Sequence, residues 1–369
     1  MANDHVPEQD ANPEQPEQQD LKGIFEVPVN RRYWLVRSDS GNYYDHFTRH
    51  NVVALAHLNR LNLDECGIGE FNPNADDLRD SYMKLVDQKN KRAKTKAYTQ
   101  FNQAKRFIYE MEVGDWVITV GKVGIRYGVI TSAPYIEHEP LVIEYNDGER
   151  EVKMNKHLRR DVNWGPSIRR KNLPYGLSQA LRARQTVISL DDHWQALHHS
   201  IYPAFKANGD LYLSIKIASE KAINNYSVMS LLKLMNEIEV LGKEFNEDFD
   251  VEKFDETFDK YRENDELTVT TKAQFHSPGD IWTVMSSAVE QYHWIAPTFV
   301  AYSMLFGNKL MGIDGVLDLD TRHKIRDAIL ERIKANKADK ELKKLELQMP
   351  KAKTDVLEVE PKRKVEDKK

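Results

Sequence analysis

The chain has a single cysteine, Cys66, so it cannot form an internal disulfide or a zinc site made of cysteines. Its longest apolar run, residues 294–306, is shorter than the ~20 residues that a membrane-spanning helix needs. The N-terminal segment has neither the basic start nor the apolar core of a secretion signal. These absences predict a cytoplasmic protein without a membrane partner.

The chain also lacks the common catalytic signatures. It has no phosphate-cradling glycine loop followed by Lys-Ser/Thr, no HExxH zinc motif and no GxSxG nucleophile motif. We therefore predict no catalytic residues, no metal ion and no cofactor. A metal-dependent nuclease stays open as an alternative, because Glu151-Val152-Lys153 and Glu341-Leu342-Lys343 match the Glu-x-Lys part of such sites.

A chain of 369 residues exceeds what one hydrophobic core usually organises, so two domains with tails are expected. Strand-like runs alternate with helical spacing, which indicates an α+β protein. The predicted parts are a disordered acidic tail at 1–21, a β-barrel-like domain with inserted helices at 22–206, a helix-rich α+β module at 207–348 and a disordered charged tail at 349–369.

The pattern within the first domain predicts its individual elements. Strands are expected at 31–38, 51–58 and 113–130 and in a hairpin at 141–154. The remaining elements are two helices at 76–107 joined by the basic stretch 89–96, a loop at 161–174 and a helix at 178–187.

Basic residues are concentrated in two segments of the first domain, although the net charge of the chain is -5. Residues 84–106 hold eight Lys or Arg against one acid, and residues 153–184 hold nine against one. Residues 237–266 are the reverse, with thirteen acids and four bases. Lys and Arg that neutralise phosphates release counterions, so the basic segments predict affinity for nucleic acid. The alternative is a solvated charged surface.

Aromatic residues accompany these segments. RRYWLVRSDSGNYYDHF, NVVALAHL, GDWVITVGKVGIRYGVI and RRDVNWGPSIRRKNLPYGLSQALRARQTVISL resemble the N-terminal domain of Mrr-type restriction proteins, which is PUA-like and related to EVE modules. The resemblance covers about half of the chain. It implies a concave pocket in which aromatic rings and a few hydrogen-bond donors hold a flipped or unpaired base, which in such modules is a modified one. The C-terminal half is similar in outline to modules of uncharacterised bacterial proteins found with defence genes.

The predicted nucleic-acid-binding residues are loop aromatics and clustered cations. They are Tyr43, Tyr44, Lys91, Arg92, Lys94, Trp164, Arg169, Arg170, Lys171, Arg182 and Arg184. Trp34 and Trp116 are candidates for the base pocket, with a place in the hydrophobic core as the alternative.

Together these features predict a non-enzymatic nucleic-acid-binding protein of a prokaryotic antiviral or restriction system, with DNA favoured over RNA as the partner. The C-terminal module is expected to form a homo-oligomer through apolar residues at 284–310 and the helix at 322–347. A closed monomeric core is the alternative for that module. A scaffold whose basic surface docks an acidic protein is a third function that the charges allow.

Overall fold

The computed structural model describes residues 24–146, 149–245, 250–275, 278–285, 294–306 and 317–362. The predicted tail at 1–21 lies outside the described residues. The fold is α+β, as predicted. Within the described ranges, no helix is both long enough and apolar enough to cross a membrane.

The described helices and strands are as follows. The helices are α1 (Tyr44–Arg49), α2 (Ala75–Lys84), α3 (Lys91–Lys105), α4 (Tyr175–Ala180), α5 (Trp194–Ile201), α6 (Asn225–Glu244), α7 (Phe254–Glu263), α8 (Ile295–Phe306), α9 (Leu319–Ala335) and α10 (Asp339–Leu345). The strands are β1 (Phe25–Glu26), β2 (Tyr33–Val36), β3 (Val52–Leu55), β4 (Trp116–Val120), β5 (Gly124–Ile130), β6 (Tyr135–Ile136), β7 (Leu141–Tyr145), β8 (Arg150–Met154), β9 (Leu158–Arg169), β10 (Val187–Ser189), β11 (Ala204–Ala207), β12 (Asp210–Ile217), β13 (Thr270–Gln274), β14 (Gly279–Met285) and β15 (Leu347–Gln348).

The chain divides into two compact units. The sheet unit comprises Ile24–Lys233, Thr268–Ser286 and Lys334–Lys369, and the helical unit includes Leu234–Leu267 and Ser287–Ile333. The predicted boundary between residues 206 and 207 falls in a hairpin, where β11 and β12 pair side by side. The strands expected in the C-terminal module therefore belong to the sheet unit.

The sheet unit is built around a seven-stranded sheet that curls into a half barrel. Its strand order is β10-β2-β4-β5-β9-β3, and β6 pairs with β9. Because β2 and β4 are parallel, their C-terminal ends lie at the same edge of the sheet. β5 begins, β9 ends and β10 begins at that edge, since Gly124 pairs with Arg169 and Val187 pairs with Val36. Loops that are far apart in sequence therefore meet there.

Both faces of the half barrel are covered, which explains why its strands are so apolar. Tyr33 and Leu35 belong to one hydrophobic cluster, whereas Trp34 and Val36 belong to another. Successive side chains of a strand point to opposite faces, so a strand buried on both sides is an unbroken apolar run. The predicted strands at 31–38, 51–58 and 113–130 are confirmed as β2, β3 and the pair β4 and β5.

A buried arginine anchors the end of α3 to the sheet. α3 continues into a π-helical turn at Arg106–Glu110, and Arg160 of β9 lies beside the end of this turn. The Arg160 guanidinium donates hydrogen bonds to the carbonyl oxygens of Phe107 (2.8 Å), Ser132 (2.9 Å), Ile108 (3.0 Å) and Met111 (2.8 Å). Burial lowers the pKa of Arg160 to about 10. One side chain thereby satisfies three carbonyls at the end of the helix, where intrahelical partners are lacking.

Gln103 on α3 spans the open side of the half barrel. Its side-chain oxygen accepts hydrogen bonds from the backbone N–H groups of Thr186 (2.6 Å) and Val187 (3.1 Å), at the start of the edge strand β10. The imidazole of His57, which follows the opposite edge strand β3, lies near the same side chain, and this contact partly offsets the lowering of the His57 pKa by burial. Gln103 therefore lies between the two edge strands of the half barrel and is hydrogen-bonded to one of them.

Residues 349–362, predicted to be part of a disordered tail, instead pack against the sheet unit. Leu357 is fully buried, and its carbonyl oxygen accepts hydrogen bonds from the side chains of Arg31 (2.8 Å) and Trp116 (3.0 Å). The backbone N–H of Lys362 donates to the carbonyl of Val113 (2.9 Å). We call residues 354–362 the C-terminal strap. Although the strap is rich in charge, its one leucine completes the core.

Three local predictions were wrong. Residues 161–174 were expected to be a loop, but most of them lie in β9. The helix expected at 178–187 is helical only at 178–180, because α4 ends at Ala180 and β10 begins at Val187. The basic stretch 89–96 is not a connection, because most of it forms the first turns of α3. β9 continues across Gly165 and Pro166 because it pairs with β5, a strand that is distant in sequence.

Three acidic residues of the helical unit form ion pairs within that unit. Arg332 donates hydrogen bonds to Glu237 (2.9 Å) and Asp255 (2.7 Å), and Lys243 donates to Glu239 (2.7 Å). α8, part of the predicted self-association surface, is mostly buried. Residues 286–293 and 307–310 of that predicted surface lie outside the described residues, and oligomerisation stays a prediction.

We expect Leu357→Ala to lower the free energy of unfolding by about 2–5 kcal/mol, because it leaves a cavity under the C-terminal strap. Val359→Ala is the matched control, since Val359 is 46% exposed and its truncation should change stability by less than about 0.5 kcal/mol. Urea denaturation of the full chain measures both. Equal stability of the two variants would show that the strap is not part of the core.

Candidate nucleic-acid interface

Three pockets lie next to the C-terminal end of β2, two of them at the sheet edge where β4 and β9 also end and the third beside the ends of β3 and β8. The tyrosine pocket has a volume of 640 Å³ and is lined by residues 41–45, 121–125 and 167–169 with Tyr145, Arg150 and Val152. The Arg182 pocket has a volume of 510 Å³ and is lined by Arg37, Val120, Ile125, Arg170, Lys171, Leu173, Ser178, Leu181 and Arg182. The Lys156 pocket has a volume of 400 Å³ and is lined by Arg37, Asp39, Ser40, Tyr43, Ala56, His57, Lys153, Asn155, Lys156, Arg184 and Thr186.

These pockets adjoin one another through shared lining residues, and we call their combined lining the basic face. Tyr43 lines both the tyrosine pocket and the Lys156 pocket, and Arg37 lines both the Lys156 pocket and the Arg182 pocket. Ile125 joins the Arg182 pocket to the tyrosine pocket. A single extended ligand could therefore contact all three.

A tight turn after β2 positions the two tyrosines of the tyrosine pocket. Asp39, Ser40 and Gly41 have positive φ angles of 54°, 55° and 90°, and the N–H of Asn42 donates to the carbonyl of Asp39 (3.0 Å). Asp, Ser and Gly are residue types that favour such turns. α1 begins directly after the turn, so Tyr43 and Tyr44 lie at the edge of the sheet.

Tyr44 packs against the turn that joins β4 to β5. A Cβ atom added to Gly121 would lie 3.0 Å from the Tyr44 ring, so glycine makes this close packing possible. Burial raises the pKa of the Tyr44 hydroxyl, and the nearby Arg126 guanidinium partly offsets the rise. Tyr44 is therefore a neutral, half-buried ring that presents an aromatic surface to the pocket.

Tyr145 supplies a second ring to the tyrosine pocket. Its hydroxyl donates a hydrogen bond to Asp45 (2.8 Å), which fixes the ring. The guanidinium carbons of Arg49 and Arg150 lie 5.8 and 5.9 Å from the ring centroid. The pocket thus combines aromatic rings with cations, as single-strand-binding surfaces do.

Two arginines in the Arg182 pocket are fixed by backbone carbonyls. Arg37 donates to the carbonyl of Leu181, and Arg170 donates to the carbonyl of Gly121 (3.0 Å). Burial lowers the pKa of Arg37, and the positive charge of Arg170 lowers it further. In the part of the chain that the structure describes, no carboxylate lies within 4 Å of either guanidinium. Two neighbouring positive charges in this setting favour an anionic ligand.

The structure brings together seven of the predicted binding residues. Those that line the basic face are Tyr43, Tyr44, Arg169, Arg170, Lys171, Arg182 and Arg184. Lys91, Arg92 and Lys94 lie in the first turn of α3 and line none of the three pockets.

The three predicted tryptophans are in the interior. Trp34 and Trp116 have no exposed surface, and their indole N–H groups donate to Asp115 (2.9 Å) and to Leu357 (3.0 Å). Trp164 is 7% exposed and donates to the carbonyl of Phe47 (2.8 Å). Their assignment to a base pocket or binding loop is therefore corrected: these rings are core residues whose polar atom is already paired.

Several residues of the basic face were not predicted from the sequence. Arg37, Lys122, Tyr145 and Arg150 were not singled out, and Lys156 was counted only as part of a basic segment. Each is adjacent to a turn or a strand end. The feature of the sequence that could have identified them is their position beside a short turn.

Neither Glu-x-Lys triplet lies in a cluster of acids. Glu151 and Lys153 are on β8 and form an ion pair (2.8 Å), and Glu341 is on α10. Across the described ranges, no group of three or more His, Cys, Asp or Glu side chains is arranged to hold a metal ion.

Comparison with known proteins gives no relative for this chain. No family model, curated protein or solved structure matches it. The resemblance to Mrr-type N-terminal domains stays a prediction, and the chemistry of the basic face is the guide to its ligand.

We expect Trp164→Ala to cost about 3–5 kcal/mol of stability, because it removes a buried indole. Asn163→Ala is the control, since Asn163 is an exposed neighbour on the same strand. Thermal melting separates the two variants. If the Trp164→Ala and Asn163→Ala proteins melt at the same temperature, Trp164 is not a core residue and is again a candidate for the binding surface.

We expect Lys156→Met to stabilise the protein at pH 7. Burial lowers the pKa of the Lys156 ammonium from 10.5 to about 8, with Asp39 offsetting part of the effect. Below pH 8 the group is charged in both states, so its burial destabilises the fold by about 3 kcal/mol, at ~1.4 kcal/mol per pKa unit. As the pH rises from 8 to 10.5 the folded state releases the proton first, and the penalty is relieved.

Chemical denaturation of the parent and Lys156→Met proteins at pH 7 and pH 10 measures this difference. The stability gain should be present at pH 7 and should shrink at pH 10. An equal gain at both pH values would show that the ammonium is not desolvated.

Proposed function

We propose that this chain binds nucleic acid through the basic face. The observation that carries the proposal is the charge of the face: among the described residues, its three pockets are lined by ten Lys or Arg and only two acids, Asp39 and Asp45. These cations come from five separate segments of a chain whose net charge is -5. Such a concentration is what a polyanion requires for binding that does not depend on sequence.

Most of these cations are available for a ligand. In the described part of the chain, only Lys153 and Lys171 of the ten have a carboxylate within 4 Å, namely Glu151 (2.8 Å) and Glu220 (3.6 Å). Arg169, Arg182 and Arg184 are exposed. Phosphates that bind such groups release their own condensed counterions, which favours binding.

The tyrosine pocket supports a finer proposal, that an unpaired base stacks on Tyr44 or Tyr145. Its volume of 640 Å³ lies within the ~300–1,000 Å³ typical of small-molecule pockets. Stacking on a neutral aromatic ring is worth about 1–3 kcal/mol per base and tolerates any base. The cations around the pocket would hold the flanking phosphates.

A place in a prokaryotic antiviral or restriction system rests on the resemblance alone and stays a prediction, as does the preference for DNA over RNA. The docking of an acidic protein is the alternative to nucleic acid that the same charges allow.

Salt-dependent binding of the full chain tests the proposal. We expect the double variant Arg169→Ala, Arg182→Ala to bind duplex DNA more weakly, whatever the sequence. The slope of log affinity against log salt should fall by about 0.9 for each phosphate that the variant no longer neutralises. The matched control is Lys91→Ala, Arg92→Ala, which removes the same charge from α3, outside the three pockets. Fluorescence anisotropy with labelled duplex DNA, single-stranded DNA and RNA measures all of these.

An equal weakening in both double variants would show that net charge, not the basic face, governs binding. Binding of an acidic polypeptide but not of any nucleic acid would favour the scaffold function. Shortening of the labelled strands in the presence of Mg²⁺ would favour the nuclease.

A further inference from the structure

Lys156 is a buried cation without a matching anion. It is 9% exposed, and its ammonium lies 5.2 Å from the ring centroid of Tyr43 and 5.6 Å from that of Phe47. In the residues described, no carboxylate lies within 4 Å of the ammonium and no hydrogen bond satisfies it. Lysines are almost never buried unless they are paired, so this arrangement calls for a ligand.

Further cations line the pocket around Lys156. Arg37, Lys153 and Arg184 line the same pocket, and among the described residues Asp39 is the only acid that does. His57 also lines it, and burial lowers the pKa of His57, so the imidazole adds no charge near neutral pH. Lys153 is paired with Glu151 (2.8 Å), so the four cations face two carboxylates. The excess of two positive charges is more than a single negative charge balances.

Phosphate groups of nucleic acids differ in charge according to their position. A phosphodiester within a strand carries one negative charge and is flanked by sugars on both sides. A terminal phosphate carries about -1.5 to -2 at pH 7 and has three acceptor oxygens. The excess charge of the Lys156 pocket matches the terminal group.

We propose that the Lys156 pocket binds the terminal phosphate of a nucleic-acid strand, so that the basic face recognises a strand end. This inference rests on the proposed function. Lys156 is the buried cation of the pocket, and Arg37, Lys153 and Arg184 surround the phosphate oxygens. Tyr43 lines both this pocket and the tyrosine pocket, so the terminal nucleotide is brought next to the aromatic rings.

Anisotropy with one oligonucleotide in three forms tests the inference on the full chain. The forms carry a 5′-phosphate, a 3′-phosphate or hydroxyl groups at both ends, with an internal label. We expect at least one phosphorylated form to bind about tenfold more tightly than the hydroxyl form, as charge-assisted hydrogen bonds to a buried cation imply. In Lys156→Met the phosphorylated and hydroxyl forms should bind alike.

Lys171→Met is the matched control, because it removes one lysine charge from the neighbouring Arg182 pocket. It should weaken all three forms by the same factor and preserve the preference for a terminal phosphate. Equal binding of the three forms by the parent protein would overturn the inference and leave the proposed function intact. A preference that survives in Lys156→Met would place the phosphate elsewhere and overturn it as well.

Failure of the parent protein to bind any form would overturn the proposed function itself. The melting temperature of the parent protein, measured with three separate ligands, shows which source of phosphate the pocket accepts. The ligands are inorganic phosphate, a nucleoside 5′-monophosphate and the unphosphorylated nucleoside. We expect both phosphates, but not the nucleoside, to raise the melting temperature, because a ligand that binds only the folded state stabilises it. No shift with either phosphate would count against the pocket.

Discussion

The hydrogen bonds of Arg160 are the constraint on which the arrangement of the sheet unit depends. One buried guanidinium holds four carbonyl oxygens, three of them at the π-helical end of α3, and so fixes this helix against β9. α3 in turn places Gln103 between the two edge strands of the half barrel. Thr186, which donates to Gln103, and His57, which lies near it, both line the Lys156 pocket. A contact in the interior is thereby linked to the geometry of the surface.

The basic residues of one sequence segment serve two different purposes. Arg159 and Arg160 are buried and donate to backbone carbonyls, whereas Arg169 is exposed on the basic face at the other end of the same strand. Arginine suits both roles, since its planar group donates several hydrogen bonds and keeps its charge when partly desolvated. Counting charges along a segment therefore overstates what its surface offers to a polyanion.

The strands of the half barrel could be predicted well from the sequence, because burial on both faces leaves a long apolar signature in β2, β3, β4 and β5. The prediction failed at β9, where Trp164-Gly165-Pro166 is typical of a turn in isolation and only pairing with β5 makes it a strand. The binding face was predicted in part. Loop tyrosines and exposed arginines were found, but Lys156 was not, since its role depends on its burial and on its distance from the acids around it. Both are properties of the fold.

The C-terminal strap has a consequence for how the chain is made. Arg31 and Leu357 are 326 residues apart in sequence, yet they share a buried hydrogen bond in the core of the sheet unit. Such a contact closes only after residue 357 has left the ribosome, so the surroundings of Arg31 stay incomplete until then. Contacts this distant in sequence slow folding and leave the apolar strands exposed meanwhile. The core around Arg31 and Trp116 therefore completes its packing only after the strap has been synthesised.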